Sequence, residues 1–104
     1  MSLLSETITV LHNSNKSEAD VKWVGGFNNK SGRKNRCTWS KFAEKADKEY
    51  DSGYGLEQVN TTLIVVGDDF WLERHTYDGA EWWEYKTLPN MADYNVGQIQ
   101  IWER

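Results

Sequence analysis

The chain has 104 residues, a net charge of −4 at pH 7 and six tryptophans. Its length provides one modest core, so we expect a single domain over residues 1–104. The negative charge does not favour non-specific binding to duplex nucleic acid, and no apolar run is long enough to cross a membrane. A lone cysteine, Cys37, excludes an internal disulfide, and without a charged-then-apolar leader we expect a cytoplasmic protein.

The first segment, residues 3–12, is compatible with either a helix or a strand. Leu4, Ile8 and Leu11 fall on one helical face, whereas the β-branched run 7–10 favours a strand. We favour the helix because the apolar pattern stops at a polar stretch typical of a helix end, and the strand stays open as the alternative.

A short strand and a basic loop are predicted next. The stretch 20–25, DVKWVG, alternates as a strand does and is expected to end at Gly25-Gly26. The polar segment 27–36 then predicts a hairpin loop or a disordered segment, for which a solvated loop tip is the simplest interpretation. The functional interpretation is a basic finger that touches phosphate or an acidic protein. The cations of this loop are Lys30, Arg33, Lys34 and Arg36.

The clearest helix is predicted over residues 38–50, where apolar residues recur at helical spacing. Thr38 or Ser40 can cap its start, and Gly53 in the loop 51–55 suits the left-handed position that ends a helix. The apolar positions of this helix are Trp39, Phe42, Ala43, Ala46 and Tyr50.

Residues 62–87 predict three antiparallel strands joined by two tight turns. Asp78-Gly79 between aromatic and β-branched residues is a strong hairpin signal and pairs Tyr77 with Ala80. Gly67-Asp68 as a second two-residue turn pairs Val65 with Phe70. The predicted fold class is therefore α+β, a small antiparallel sheet with a central three-stranded meander (about 62–87) covered on one face by a helix (about 39–51).

The two predicted turns agree on the faces of the meander, because successive side chains of a strand point to opposite sides. One face is apolar and is expected to be core: it carries Leu63, Val65, Phe70, Leu72, Trp83 and Tyr85, with Arg74 beside Trp83. The other face mixes aromatic residues with charge: it carries Thr62, Ile64, Trp71, Glu73, His75, Tyr77, Trp82, Glu84 and Lys86.

Glu73 directly opposite Glu84 is a like-charge pair, which normally destabilises a sheet. Either Lys86 and His75 neutralise it on a solvated face, or it binds a metal ion or a cationic partner. A metal site usually needs a third or fourth ligand, which the sequence does not place, so we predict no metal and no cofactor.

Catalysis has one candidate nucleophile, Cys37, with His12 or His75 as the base. No local catalytic signature surrounds this cysteine, so a structural role is the simpler interpretation. At the other end of the chain, Pro89 stops the third strand. The stretch 98–102, QIQIW, alternates with its isoleucines inward and predicts an edge strand, with a mobile tail as the alternative.

Three blocks carry a resemblance to a known family: WVGG, EYDSGYG and VVGDDFWLERHTYDGAEWWE. With them the chain resembles, over roughly residues 20–89, a family of short uncharacterised proteins of phages, prophages and plasmids of Gram-positive bacteria. The resemblance implies a biological context and no mechanism.

Three functions follow from these patterns. The first is a non-catalytic binding module that uses the aromatic sheet face on a protein partner, through Trp71, Glu73, His75, Tyr77, Trp82, Glu84 and Lys86. The alternative is single-stranded nucleic-acid binding by the sheet aromatics and the basic loop 30–36, through Lys30, Arg33, Lys34 and Arg36. The third is a metal-dependent enzyme that uses Glu73, His75 and Glu84.

Overall fold

A computed structural model describes residues 1–53 and 55–103, so Tyr54 of the predicted loop 51–55 and the terminal Arg104 lie outside the described residues. The described strands form one antiparallel sheet in the order β2-β1-β3-β4-β5, with helices on one side, which confirms the predicted α+β class. The elements are α1 (Leu3–Asn13), β1 (Trp23–Asn28), β2 (Arg33–Cys37), α2 (Trp39–Ala46), β3 (Ile64–Val66), β4 (Phe70–Tyr77) and β5 (Ala80–Thr87), with short 3-10 turns at Glu18–Asp20 and Met91–Asp93.

The N-terminal segment is a helix, as the apolar spacing predicted. Ser2 caps α1, since its Oγ accepts a hydrogen bond from the Ser5 backbone N–H at 3.0 Å. The β-branched Thr7 fits inside the helix because its hydroxyl donates to the Leu3 carbonyl at 2.6 Å. Leu11 is fully buried, so the apolar face of α1 belongs to the core.

The second helix is shorter than predicted. Thr38 caps α2 by accepting from the Lys41 backbone N–H at 3.2 Å, but the helix ends at Ala46 instead of near residue 50. The following residues pair with the start of α1: the Leu3 N–H donates to the Lys48 carbonyl at 3.3 Å, and Ser2 forms a bridge with Glu49. A helix continued to residue 50 would forfeit these bonds.

The first strand continues through the glycines at which it was predicted to end. Gly25 and Gly26 pair with β2, and Gly25 also pairs with Ile64 of β3. A Cβ on Gly25 would lie 2.6 Å from Trp23 Cζ3, so this glycine makes room for an indole ring that lies over it. The predicted loop 27–36 is therefore a hairpin whose turn spans only residues 29–32.

The β4–β5 hairpin has the predicted register throughout, from Phe70 opposite Thr87 to Tyr77 opposite Ala80. Asp78 and Gly79 have φ angles of 50° and 86°, the left-handed pair that a type I′ turn requires.

The β3–β4 turn lies one residue later than predicted, so Val65 pairs with Leu72 instead of Phe70. Moving the turn by one residue moves the pairing by two, which leaves every side chain on its predicted face. Gly67 is needed beside the turn, since a Cβ there would lie 2.0 Å from the ring of Phe70, which is 2% exposed.

The core lies between one face of the sheet and both helices. The prediction of a single covering helix is incomplete, because α1 packs on β5 while α2 packs on α1 and β1. The buried apolar residues are Leu11, Val21, Val24, Phe42, Ala46, Val65, Phe70, Leu72 and Trp83.

A buried ion-pair cluster joins this core to the loops. Arg74 is 1% exposed at its side chain and donates to Glu6 at 3.0 Å, to Glu81 at 2.9 Å and to the Tyr50 hydroxyl at 3.2 Å. Glu81 also accepts from the backbone amides of residues 58–59, and Tyr50 donates to Glu6. Burial, with the bond to Glu6, raises the pKa of Tyr50 to about 12. The cluster thus fixes α1, the segment after α2 and the 58–59 loop to the β4–β5 hairpin.

The predicted edge strand at 98–102 is wrong. Among the described residues, no backbone-to-backbone hydrogen bond involves 95–103, and Ile99 and Ile101 are exposed instead of inward. Alternation makes a strand only where a neighbouring edge accepts its hydrogen bonds, and this stretch meets none.

No helix among residues 1–53 and 55–103 is both long and apolar enough to traverse a bilayer.

Candidate functional site

The sheet face opposite the helices, here called the outer face, holds all seven residues of the predicted protein-binding set. Cross-strand pairing places Trp71 beside Lys86, Glu73 beside Glu84, and His75 beside Trp82. Tyr77 is 77% exposed at the end of β4. The structure thus brings these side chains to one face, whereas their role in binding stays a prediction.

The outer face extends across β1 and β2, which sequence reasoning missed. Trp23 shares a face with Trp71 because both flank Val66 in the sheet register. Phe27 pairs with Lys34, and Arg36 pairs with Gly25 on the same side. The alternation of residues 23, 25 and 27 with the core residue 24 is the sequence signal for this extension. A strand that is predicted to end at the two glycines does not include residue 27, so the signal is lost.

The two outer-face glutamates belong to one hydrogen-bonded network. Trp71 Nε1 donates to Glu73 at 2.9 Å, and Trp82 Nε1 donates to Glu84 at 3.1 Å. His75 lies between the carboxylates, with Nε2 3.1 Å from Glu73 and Nδ1 3.5 Å from Glu84. Its ring also stacks on Trp82 with centroids 6.5 Å apart.

Lys86 adds a cation to the network, with its Nζ 3.2 Å from Glu84. The indole hydrogen bond from Trp71 lowers the pKa of Glu73, and that from Trp82, followed by Lys86, lowers the pKa of Glu84. The like-charge pair is thus stabilised within the protein by donors from both strands. No group of three or more His, Cys, Asp or Glu residues in the described part of the chain has the arrangement of a metal site.

The role of the indole donor gives a testable result: the substitution Trp71→Phe is expected to raise the pKa of Glu73. A lowered pKa in the folded state means that this carboxylate stabilises the fold above its ordinary pKa, and that the contribution fades as the pH falls through the folded-state value. Carbon-13 NMR titration of the carboxyl groups measures the shift. Trp82→Phe is the matched control, since it should move Glu84 instead, and an unchanged Glu73 in Trp71→Phe would refute the network.

The predicted basic residues separate into two groups. Lys34 and Arg36 lie on the outer face of β2, whereas Arg33 alternates to the other side and Lys30 lies in the turn. Neither Lys34 nor Arg36 forms a salt bridge with any residue that the structure describes. The basic segment 30–36 is therefore mainly an edge strand and not a loop.

A shallow groove on the outer face runs along β1 between β2 and β3. It is lined by Gly25 and Ile64, by two aromatic rings of β1 and by two cations of β2. Trp23 is 36% exposed and Phe27 is 39% exposed, so both rings present area to solvent. The exposed aromatic residues of β1 and cations of β2 that line the groove are Trp23, Phe27, Lys34 and Arg36.

The structure does not assemble the proposed cysteine nucleophile with a base. Cys37 is exposed and pairs with the core-facing Val24, whereas His75 is on the outer face of a strand two positions beyond β1 in the sheet. His12 lies near the end of α1, with Nε2 2.9 Å from Glu18. A thiol and imidazole on opposite faces cannot share a proton directly.

Together these features define a small α+β domain with one face closed by helices and one aromatic, charged face open. No family model, no curated protein and no solved structure matches this chain. The resemblance to proteins of phages, prophages and plasmids therefore stays a prediction.

Proposed function

We propose that this chain is a non-catalytic binding module that holds a protein partner on its outer face. One observation carries the proposal: both helices pack on one side of the sheet, and no described element covers the aromatic residues on the other. A sheet normally buries one face against a second layer, and an uncovered aromatic face marks an interaction surface.

The chemistry of the face fits a broad interface better than a reaction centre. Its carboxylates are occupied by indole, imidazole and ammonium donors. Its accessible groups are aromatic rings at Trp23, Phe27, Tyr77 and Trp82, and tryptophan and tyrosine supply much of the energy of protein interfaces.

The biological setting forms part of the proposal. The resemblance over residues 20–89 supports a phage, prophage or plasmid protein acting in the cytoplasm of a Gram-positive host. A lysate of such a host is therefore the first source in which to seek the partner, which is then purified for direct binding measurements.

The double substitution Trp71→Ala with Trp82→Ala is expected to weaken binding of that purified partner at least about 100-fold, as loss of two interface tryptophans does. Isothermal titration calorimetry measures the affinity, and urea unfolding checks the fold. Both side chains lie outside the core, so we expect about 1 kcal/mol or less of destabilisation per site.

Trp102→Ala is the matched control, because this tryptophan is 78% exposed and belongs to no strand of the sheet. It should leave the affinity unchanged. Equal binding by the double variant and the wild type would rule out the outer face as the binding surface, and unfolding of the double variant would show that this face is core.

A second candidate function, single-stranded nucleic-acid binding, is favoured by one observation. Lys34 and Arg36 lie beside Trp23 and Phe27, and this combination of cations with stacking rings is what single strands require. Fluorescence anisotropy with a labelled oligothymidylate of about 20 nucleotides at low salt tests it. Binding that weakens steeply with salt would support it, and no binding at low salt would end it.

A further inference from the structure

We propose that β2 is the docking edge of this module, and that an acidic, extended segment of the partner adds to it as a sixth strand. The inference rests on the proposed function, since it assigns the way in which the protein partner binds. It is carried by three features of the sheet: an open edge, a charge imbalance on that edge, and a groove beside it.

The edge is open along its length. β2 lies at the end of the sheet order, and all five of its residues are exposed. Its backbone hydrogen bonds run to β1, and none from any other described residue reaches its far side. At about 3.4 Å per residue, this edge offers about 17 Å of backbone, enough for a strand of about five residues.

The opposite edge of the sheet is less accessible. The Glu81 backbone N–H on β5 donates to the Ser52 carbonyl at 2.7 Å, so a loop already uses part of that edge. Strand addition therefore favours β2 over β5.

The charge on the edge selects the occupant. The hairpin 28–37 carries four cations and no acidic residue, and none of the four forms a salt bridge with a described residue. Lysine and arginine on an edge strand repel a second copy of the same strand, which protects against self-association. The same charges attract a strand rich in aspartate or glutamate. The edge therefore favours an acidic segment over a second copy of β2.

The groove beside the edge accommodates side chains of the added strand. Alternate residues of a strand on β2 would fall on the outer face, next to Lys34 and Arg36. The Trp23 and Phe27 rings lie one strand further in, on β1, and line the same groove as these two cations. A polypeptide fits this edge better than a nucleic acid does, because the unpaired backbone groups of β2 match those of another strand.

A selection experiment tests the inference even while the partner is unidentified. The probe is a displayed library of random peptides of about 12 residues, selected on the full chain. We expect enriched sequences with several acidic residues alternating with β-branched or aromatic ones. Their affinity, measured by fluorescence anisotropy, should fall at least about tenfold for the Arg36→Glu variant. It should fall further when Lys34→Glu is added, because the two introduced carboxylates repel an acidic peptide.

Lys41→Glu is the matched charge reversal, since this lysine is exposed on α2 and is not one of the five residues of the β2 edge, and it should change the affinity less than about twofold. Bound peptide should slow amide hydrogen exchange at 33–37, and methylation of alternate peptide amides should abolish binding, because strand addition depends on backbone hydrogen bonds.

Four outcomes would overturn the inference. Two concern the peptides: the selection does not enrich acidic sequences, or the selected peptides bind the Arg36→Glu variant as tightly as the wild type. The third is a dimer of the wild-type chain in light scattering that dissociates in the double charge-reversal variant. The fourth is tight binding of oligothymidylate without binding of any peptide. If selected peptides require Trp71 and Trp82 but not β2, the proposed function stands and only the docking mode fails.

Discussion

Replacement of Arg74 by alanine is expected to remove about 3–5 kcal/mol from the free energy of unfolding, the usual cost of breaking a buried ion pair from one side. The guanidinium is 1% exposed at its side chain and bonds two carboxylates and a phenol. Without it, the carboxylate of Glu81, also 1% exposed, loses its only oppositely charged partner among the described residues. The whole domain is expected to have roughly 5–15 kcal/mol of stability, so this variant approaches global unfolding.

Urea unfolding followed by circular dichroism and tryptophan fluorescence measures the loss. Arg33→Ala is the matched control, because that arginine is exposed on β2 without a salt bridge to any described residue, and it should change the stability by no more than about 0.5 kcal/mol. A loss below about 1 kcal/mol in Arg74→Ala would mean that the cluster is solvated and does not join the hairpin to α1.

Replacement of Trp83 by alanine is the second large effect, with an expected loss of about 3–5 kcal/mol, typical of a buried tryptophan. The side chain is 4% exposed, its Nε1 donates to the buried Thr7 hydroxyl at 2.8 Å, and Arg74 lies 4.8 Å from its ring centroid. The substitution removes packing, one buried hydrogen bond and a cation–π contact at once.

The neighbouring residue supplies the control within the same strand. Trp82→Ala changes the same side chain one position away, on the outer face, and is expected to cost about 1 kcal/mol or less. Urea unfolding of the two variants side by side measures the difference. Similar losses at positions 82 and 83 would contradict the assignment of the two faces.

The β4–β5 hairpin and the division of its faces could be predicted because the information is local. Asp78-Gly79 permits left-handed dihedrals at both turn positions, and the alternation along each strand then assigns each side chain to a face. The sequence predicts the β3–β4 turn one residue too early, because the conformational freedom of Gly67 is typical of a residue within a turn. Its actual role is to leave room for the buried ring of Phe70 at the start of the next strand.

The remaining differences arise from contacts distant in the sequence. Gly25 lies inside a strand because it pairs with Arg36 of β2 and with Ile64 of β3, and α2 stops at Ala46 because the next residues pair with the start of α1. Composition and spacing contain no such information. The partners of Arg74 were missed for the same reason, although an acidic residue at position 81 on the core side of β5 was a signal that a buried charge required a cation.

The part of the candidate site on β4 and β5 could be predicted from the sequence, whereas the part on β1 and β2 could not. Alternation placed Trp71, Glu73 and Trp82 together, and the structure places Lys86 and His75 beside the glutamate pair on the same face. The extension to Trp23 and Phe27 depends on strand order, which the sequence did not determine. The sheet order also shows that most of the predicted basic loop is an edge strand. The expected mode of binding is therefore strand addition instead of contact with a loop.

Hydroxyl-radical footprinting of the six tryptophans, with and without the purified partner, tests the central claim most directly. In the free protein, Trp82 and Trp23 should be oxidised faster than Trp83, in the order of their exposure. Addition of the partner should protect Trp71 and Trp82 while the exposed Trp102 serves as the unchanged internal reference. Protection of Trp102 with no change at positions 71 and 82 would contradict the account, because the partner would then bind away from the open sheet face.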